Sequence, residues 1–179
     1  MDRDLDYIKL LLNDFFNDKL MVEKFELIQK NHVTGWEIWL QIEFAHFLAK
    51  HSSSPEWYRE ESYEYDKRKE KIKLKLRPDF LVRKKGWRIN EYMALEFKQN
   101  VQPRACLNNM ITDLNKYSKI RGSNNDLRSV WTVGVFKTDD IDSTQDHFEK
   151  YFSEKDSEFN ISDLTISKIA NTEYWFALL

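Results

Sequence analysis

Cysteine is almost absent from this 179-residue chain, where Cys106 stands alone. One thiol can build neither a disulfide framework within the chain nor a zinc centre of several thiolates. Glycine is nearly as scarce, with four residues at positions 35, 86, 122 and 134. Glycines so widely spaced exclude a phosphate-binding loop and a dinucleotide fingerprint, which both need them clustered. The four histidines, His32, His46, His51 and His147, show no metal-ligand spacing, and HFLAKH at 46–51 misses the spacing of a metalloprotease helix. Nothing resembles a Ser-His-Asp set. Long apolar runs are missing too, since none approaches the roughly 18 residues needed to span a bilayer. The opening MDRDLDYIKLLL is acidic and does not read as a secretory signal. The expectation is a cytoplasmic protein with no membrane partner.

What is present suits a folded domain. The chain is 41% hydrophobic and 15% aromatic, enough for a core, and 32% charged, enough for a wetted surface. Its length fits a single domain over 1–179. The formal net charge of -2 conceals a strong asymmetry. Residues 67–88 hold eleven Lys and Arg against Glu70 and Asp79, whereas residues 139–163 hold nine acids against Lys150 and Lys155. One part of the molecule could attract a polyanion that the other would repel.

Apolar positions at Leu5, Ile8, Leu12, Phe15 and Phe16 predict a helix over 4–30. TGWEIWLQIEFAHFLAKH predicts a second, with Thr34 as N-cap and Glu37 completing a capping box. From 56 to 98 the period shortens to that of strands, in EWYREESYEYD, KIKLKLRPDFLV and EYMALEFK, with a turn at Gly86. Helical spacing returns through Leu107, Met110, Ile111, Leu114 and Tyr117, with Pro103 suited to the first turn and Gly122 beyond the end. SVWTVGVFK at 129–137 reads as a buried strand, followed by an acidic helix near 142–153 and two strands, DLTISKI and EYWFALL. The expected fold class is α/β, a mixed central sheet flanked by helices.

One stretch carries chemistry. Alternation along EYMALEFK turns Met93, Leu95 and Phe97 to one face and Tyr92, Ala94, Glu96 and Lys98 to the other. Glu96 and Lys98 then stand about 6–7 Å apart on one face. A hairpin through Gly86 brings Asp79, after Pro78, to the same place. Two carboxylates converging from adjacent strands make a hard oxygen site of the kind Mg²⁺ accepts while keeping several waters. A neighbouring lysine can act on the attacking water or on a phosphate in the transition state. Lys73, Lys75 and Arg77 lie in the basic run beside Asp79 and would face a nucleic-acid backbone. On the helix after the motif, Arg104, Asn108, Lys116 and Lys119 fall on the polar side, open to phosphates or water. A third acid comes from the helix before it. Glu43 falls amid Trp36, Trp39, Leu40 and Phe47 on the wheel, where a carboxylate is costly unless paired or bound to metal. Glu37 already has its capping role, so Glu43 is the better candidate.

Pro78-Asp79, sixteen residues, then Glu96-Phe97-Lys98 resembles the PD-(D/E)xK nuclease superfamily, the restriction-endonuclease-like fold. The resemblance covers about 34–137. It implies an αβββαβ core, with the helix over 4–30 and an α/β stretch over 138–179 added to it. It implies that Asp79 and Glu96 hold Mg²⁺, which Mn²⁺ would replace, that Lys98 is the catalytic lysine, that Glu43 is the helix acid, and that Gln99 is a further polar residue at the nucleic acid. The implied activity is metal-dependent endonuclease cleavage, of DNA more than RNA, by a homodimer or with a protein partner. The competing class is a nuclease-fold subunit that binds nucleic acid or protein without cutting.

Overall fold

Asn17 and Asp18 interrupt the helical pattern of the N-terminal region. The Asn17 side chain bonds back to the Asn13 carbonyl at 2.8 Å, and the Asp18 carboxylate accepts from Leu20 N and Met21 N at 2.9 and 3.2 Å. Such side-chain bonds compete with the helical ladder and restart it. Two helices therefore replace the single helix expected over 4–30: α1, Asp2–Phe16, and α2, Lys19–Lys30. The computed structural model describes residues 2–64, 75–88, 92–117, 119–120, 127–154 and 159–179. Gly122 and the first part of the basic run, 67–74 with Lys73, lie outside them.

Helix α3, Glu37–Lys50, begins later than the Thr34 capping box requires. Trp36 occupies the N-cap position without a side-chain cap, so the expected box does not form. Then follow β1, Glu56–Arg59; β2, Tyr63–Glu64; β3, Lys75–Leu76; β4, Phe80–Arg83; and β5, Tyr92–Gln99. Among the described residues, the first two expected strands are each broken, after Arg59 and after Leu76. Glu60 adopts a positive φ of 55° and donates its N–H to the Pro78 carbonyl at 3.1 Å, which kinks the hairpin where Pro78 can give no ladder bond. Helix α4, Pro103–Tyr117, β6, Leu127–Lys137, and α5, Ile141–Glu154, come next. A short 3-10 helix, Ile161–Asp163, precedes β7, Thr165–Lys168, and β8, Tyr174–Leu178.

The chain is mixed α/β. Six strands form one sheet in the order β1-β4-β5-β6-β8-β7, and β2-β3 make a separate ribbon. Only β5 and β6 run parallel; the other pairs in this sheet are antiparallel. Over 34–137 the order of main-sheet strands and helices is α, three strands, α, strand, as expected. The C-terminal stretch supplies β8 beside β6, and Leu179 exchanges backbone bonds with Thr132 at 2.8 and 3.0 Å. Among the described residues, no helix is long and apolar enough to cross a membrane.

The helices divide between the two sheet faces. α1, α2 and α3 cover one face with an aromatic core in which Phe44 meets Phe15, Phe80 and Phe97 at centroid distances of 5.1, 5.2 and 4.9 Å. α4 and α5 cover the other face through Cys106, Leu107, Met110, Phe148 and Phe152. α4 seats closely because Gly134 on β6 has no side chain. A Cβ there would lie 2.8 Å from Cys106 Sγ and nearer still to Met110 Sδ. Gly134 is also the register partner of Lys98, so this close approach brings α4 beside the motif strand. Gly134→Ala should overpack the contact and destabilise the fold by about 1–3 kcal/mol, read from the midpoint of urea unfolding.

Candidate active site

The β4–β5 register pairs Phe80 with Leu95 and sets Asp79, one step earlier, beside Glu96. Asp79 is fixed there by the Phe97 N–H, which donates to its Oδ2 at 2.7 Å. The strand alternates as expected: Met93, Leu95 and Phe97 enter the core under α3, and Glu96 and Lys98 turn towards α4. Glu96 is only 6% exposed, and its Oε1 accepts from the Tyr117 hydroxyl at 2.8 Å. Burial, reinforced by the Asp79 charge, pushes the Glu96 carboxyl up to about 8. Burial also raises Asp79, against the lowering effect of the Phe97 N–H and Lys98. Two adjacent carboxyl groups so far from water favour a retained proton or a bound cation.

Lys98 Nζ lies 2.7 Å from Asp113 Oδ2, 3.8 Å from Glu96 Oε2 and 3.9 Å from Glu37 Oε1. Burial would discharge this ammonium, but the bond to Asp113 and the surrounding carboxylates outweigh it and raise its pKa. Asp113 is held below its ordinary value despite burial, because Lys116 and Lys98 both bond to it. The Tyr117 phenol is pushed up, first by burial and then by Glu96.

The sequence-derived residues divide into two groups. Asp79, Glu96 and Lys98 are brought together. Glu43 is not brought to them: its Oε2 pairs with Lys24 at 2.7 Å, beside a cleft of about 480 Å³ that Asp14, His46 and Lys50 also line. The α3 acid beside Lys98 is Glu37, 3.9 Å from its Nζ. Freed from any cap role, its Oε2 accepts the Gln99 N–H at 2.9 Å. The wheel misplaced the two because the buried stripe of α3 runs through Leu40, Gln41, Phe44 and Leu48, not through Glu43. Gln99 thus contacts Glu37 through its backbone. Arg104 faces α5, 3.8 Å from Glu154 and over the Tyr151 ring, and is 70% exposed. Lys75 is exposed on β3, and Arg77, two residues before Asp79, donates to Ser62 Oγ at 3.1 Å. Lys73 lies outside the described residues.

Lys116, expected open to phosphates or water, pairs with Asp113 instead; Asp113 and Tyr117 are not among the sequence-derived site residues, although a signal exists. On α4 the buried Cys106, Leu107, Met110 and Asp113 form one stripe, and a carboxylate in such a stripe asks for a partner. Away from the site, Asp14, His51 and Ser53 do form a hydrogen-bonded chain, at 3.1 and 2.7 Å, which the sequence did not suggest. Ser53 also donates its backbone N–H to His51 Nδ1 and meets Tyr7 Oη at 2.8 Å, so the chain closes the end of α3 onto α1.

Among the described residues, no three or more His, Cys, Asp or Glu side chains are grouped to hold a metal. Asp79 and Glu96 offer two carboxylates, a set that Mg²⁺ accepts when water or phosphate completes its octahedron. The chain matches no protein-family model, no curated protein and no solved structure.

The pH dependence of stability tests this electrostatic picture. Glu96 takes its proton at about 8 in the native chain, against 4.5 ordinarily, so between these values the native state binds the proton more tightly than the unfolded state. Stability of the metal-free protein should fall as pH rises from about 5 to about 8. Glu96→Gln should flatten that slope in denaturant titrations across the range. An equal slope in the variant would show that the strain lies elsewhere.

Proposed function

We propose that this chain is a metal-dependent nuclease of the PD-(D/E)xK type, hydrolysing phosphodiester bonds. The observation that carries the reading is the convergence of the buried Glu96 with the half-buried Asp79 and Lys98 on one face of two paired strands. Lys98 lies within 4 Å of Glu96 and Glu37 there, at 3.8 and 3.9 Å. DNA as the favoured substrate follows from the resemblance of the motif to that superfamily. A nucleic-acid partner is also supported by Lys75 and Arg77, which lead directly into Asp79.

Asp79 and Glu96 would hold Mg²⁺, or Mn²⁺ in its place, each carboxylate oriented by a donor: the Phe97 N–H for Asp79 and the Tyr117 hydroxyl for Glu96. When bound, the cation would supply Lewis-acid polarisation of the scissile phosphate and acidify a water. Lys98 faces the same point as an ammonium. It would orient the attacking water and offset the charge that develops on the phosphate oxygens. Glu37, 36% exposed beside the carboxyl end of β5, would accept a hydrogen bond from that water.

Supercoiled plasmid incubated with the protein in Mg²⁺, Mn²⁺ or EDTA tests the reading. Nicked or linear product should require metal, and Lys98→Ala should lower the rate by at least about a hundredfold with folding and DNA binding retained. Asp79→Asn should abolish the metal-dependent product and leave DNA binding in Ca²⁺ unweakened. Unchanged cleavage by the Lys98 variant would sink the site assignment. Salt-sensitive binding without product would instead favour a non-cleaving nucleic-acid subunit.

A further inference from the structure

Two side chains one turn apart on α4 reach the motif strand. Tyr117 engages Glu96, and Asp113 engages Lys98. The second contact decides where the lysine's charge sits. At 2.7 Å from Asp113, the ammonium is more than an ångström closer to it than to Glu96 Oε2 at 3.8 Å. Asp113 is 5% exposed, and its other oxygen is bound by Lys116. It therefore has little freedom to turn away, and its own charge is balanced from the side opposite Lys98. The helix that carries it is seated against Gly134, directly across the register from Lys98.

We propose that Asp113 is a positioning residue that holds the Lys98 ammonium off Glu96, and so keeps the Asp79–Glu96 pair free to take a divalent cation. The inference rests on the metal reading given above and assigns Asp113 no contact with metal or substrate. Without the Asp113 charge, the nearest carboxylates to Lys98 are Glu96 and Glu37, and a small side-chain rotation would close the gap to Glu96. An ammonium on Glu96 would neutralise a metal ligand and repel the incoming cation through a poorly screened interior. Tyr117 occupies the other oxygen of Glu96 and does not block that movement.

Calorimetric Ca²⁺ titration of the full chain tests this without catalysis. The proteins compared are wild type, Asp113→Asn, Lys98→Met and the double variant, with thermal unfolding recorded for each. Asp113→Asn should weaken Ca²⁺ binding by about tenfold in the wild-type background and by no more than about twofold once Lys98 is Met. Asp113→Glu, which keeps the carboxylate, should bind as wild type does. Equal weakening in both backgrounds would overturn the proposal, since Asp113 would then act by its own charge or by packing. A folded Asp113→Asn that binds Ca²⁺ normally would overturn it as well. A folded wild-type chain that binds neither Ca²⁺ nor Mn²⁺ would overturn the metal reading and this inference together. Retained wild-type binding separates the two failures.

Discussion

Two carboxyl groups, Asp79 and Glu96, are held side by side largely out of water, and their surroundings answer that constraint. Each is oriented by a donor that belongs to the fold: a backbone N–H for Asp79 and the α4 tyrosine hydroxyl for Glu96. A single ammonium, Lys98, lies near Glu96, Asp113 and Glu37, and Lys116 adds a second positive charge at Asp113. The acids outnumber the cations at this point, and burial, reinforced by the Asp79 charge, raises the pKa of Glu96. A site with this imbalance favours a retained proton, and under the proposed reading a metal ion would take the proton's place.

Three features of the backbone create the proximity. Antiparallel register between β4 and β5 sets Asp79 opposite Glu96. The missing side chain at Gly134 lets α4 descend until Asp113 and Tyr117 reach the strand. The start of α3 at Glu37, rather than within a Thr34 box, leaves that carboxylate free to bond the Gln99 N–H at the end of β5. None of the three is itself a charged interaction, yet each sets a distance on which the electrostatics depend.

The strand part of the site was legible in the sequence because period-2 alternation is a local property. Given EYMALEFK, Glu96 and Lys98 had to share a face, and a hairpin through Gly86 had to return Asp79 to it. Helix contributions were harder to read. A helical wheel gives the angle between residues but not the direction of the core, and the large rings of Trp39 and Phe47 drew the estimated stripe towards Glu43. The core instead lies along Leu40, Phe44 and Leu48. The N-terminal break was visible in Asn17-Asp18 but outvoted by the apolar spacing on either side. Asp113 was missed for a different reason: its partner Lys98 is fifteen residues away on another element, and only the seating at Gly134 brings them together.

The burial of these groups bears on why they are there. Replacing a buried ion pair with apolar residues of similar volume is often neutral or stabilising. On the same α4 side of the neighbouring strand, Gly134 and Phe136 meet the helix with no charge. A strand that served only to close the sheet would have no need of Glu96 and Lys98 facing α4, nor that helix of Asp113 in its buried stripe. Holding one carboxyl in its protonated form at neutral pH, where it would ordinarily be ionised, costs stability that the aromatic core on the opposite face must offset. A ligand that replaces the proton would relieve that cost, so binding at this point and stability of the fold should rise together.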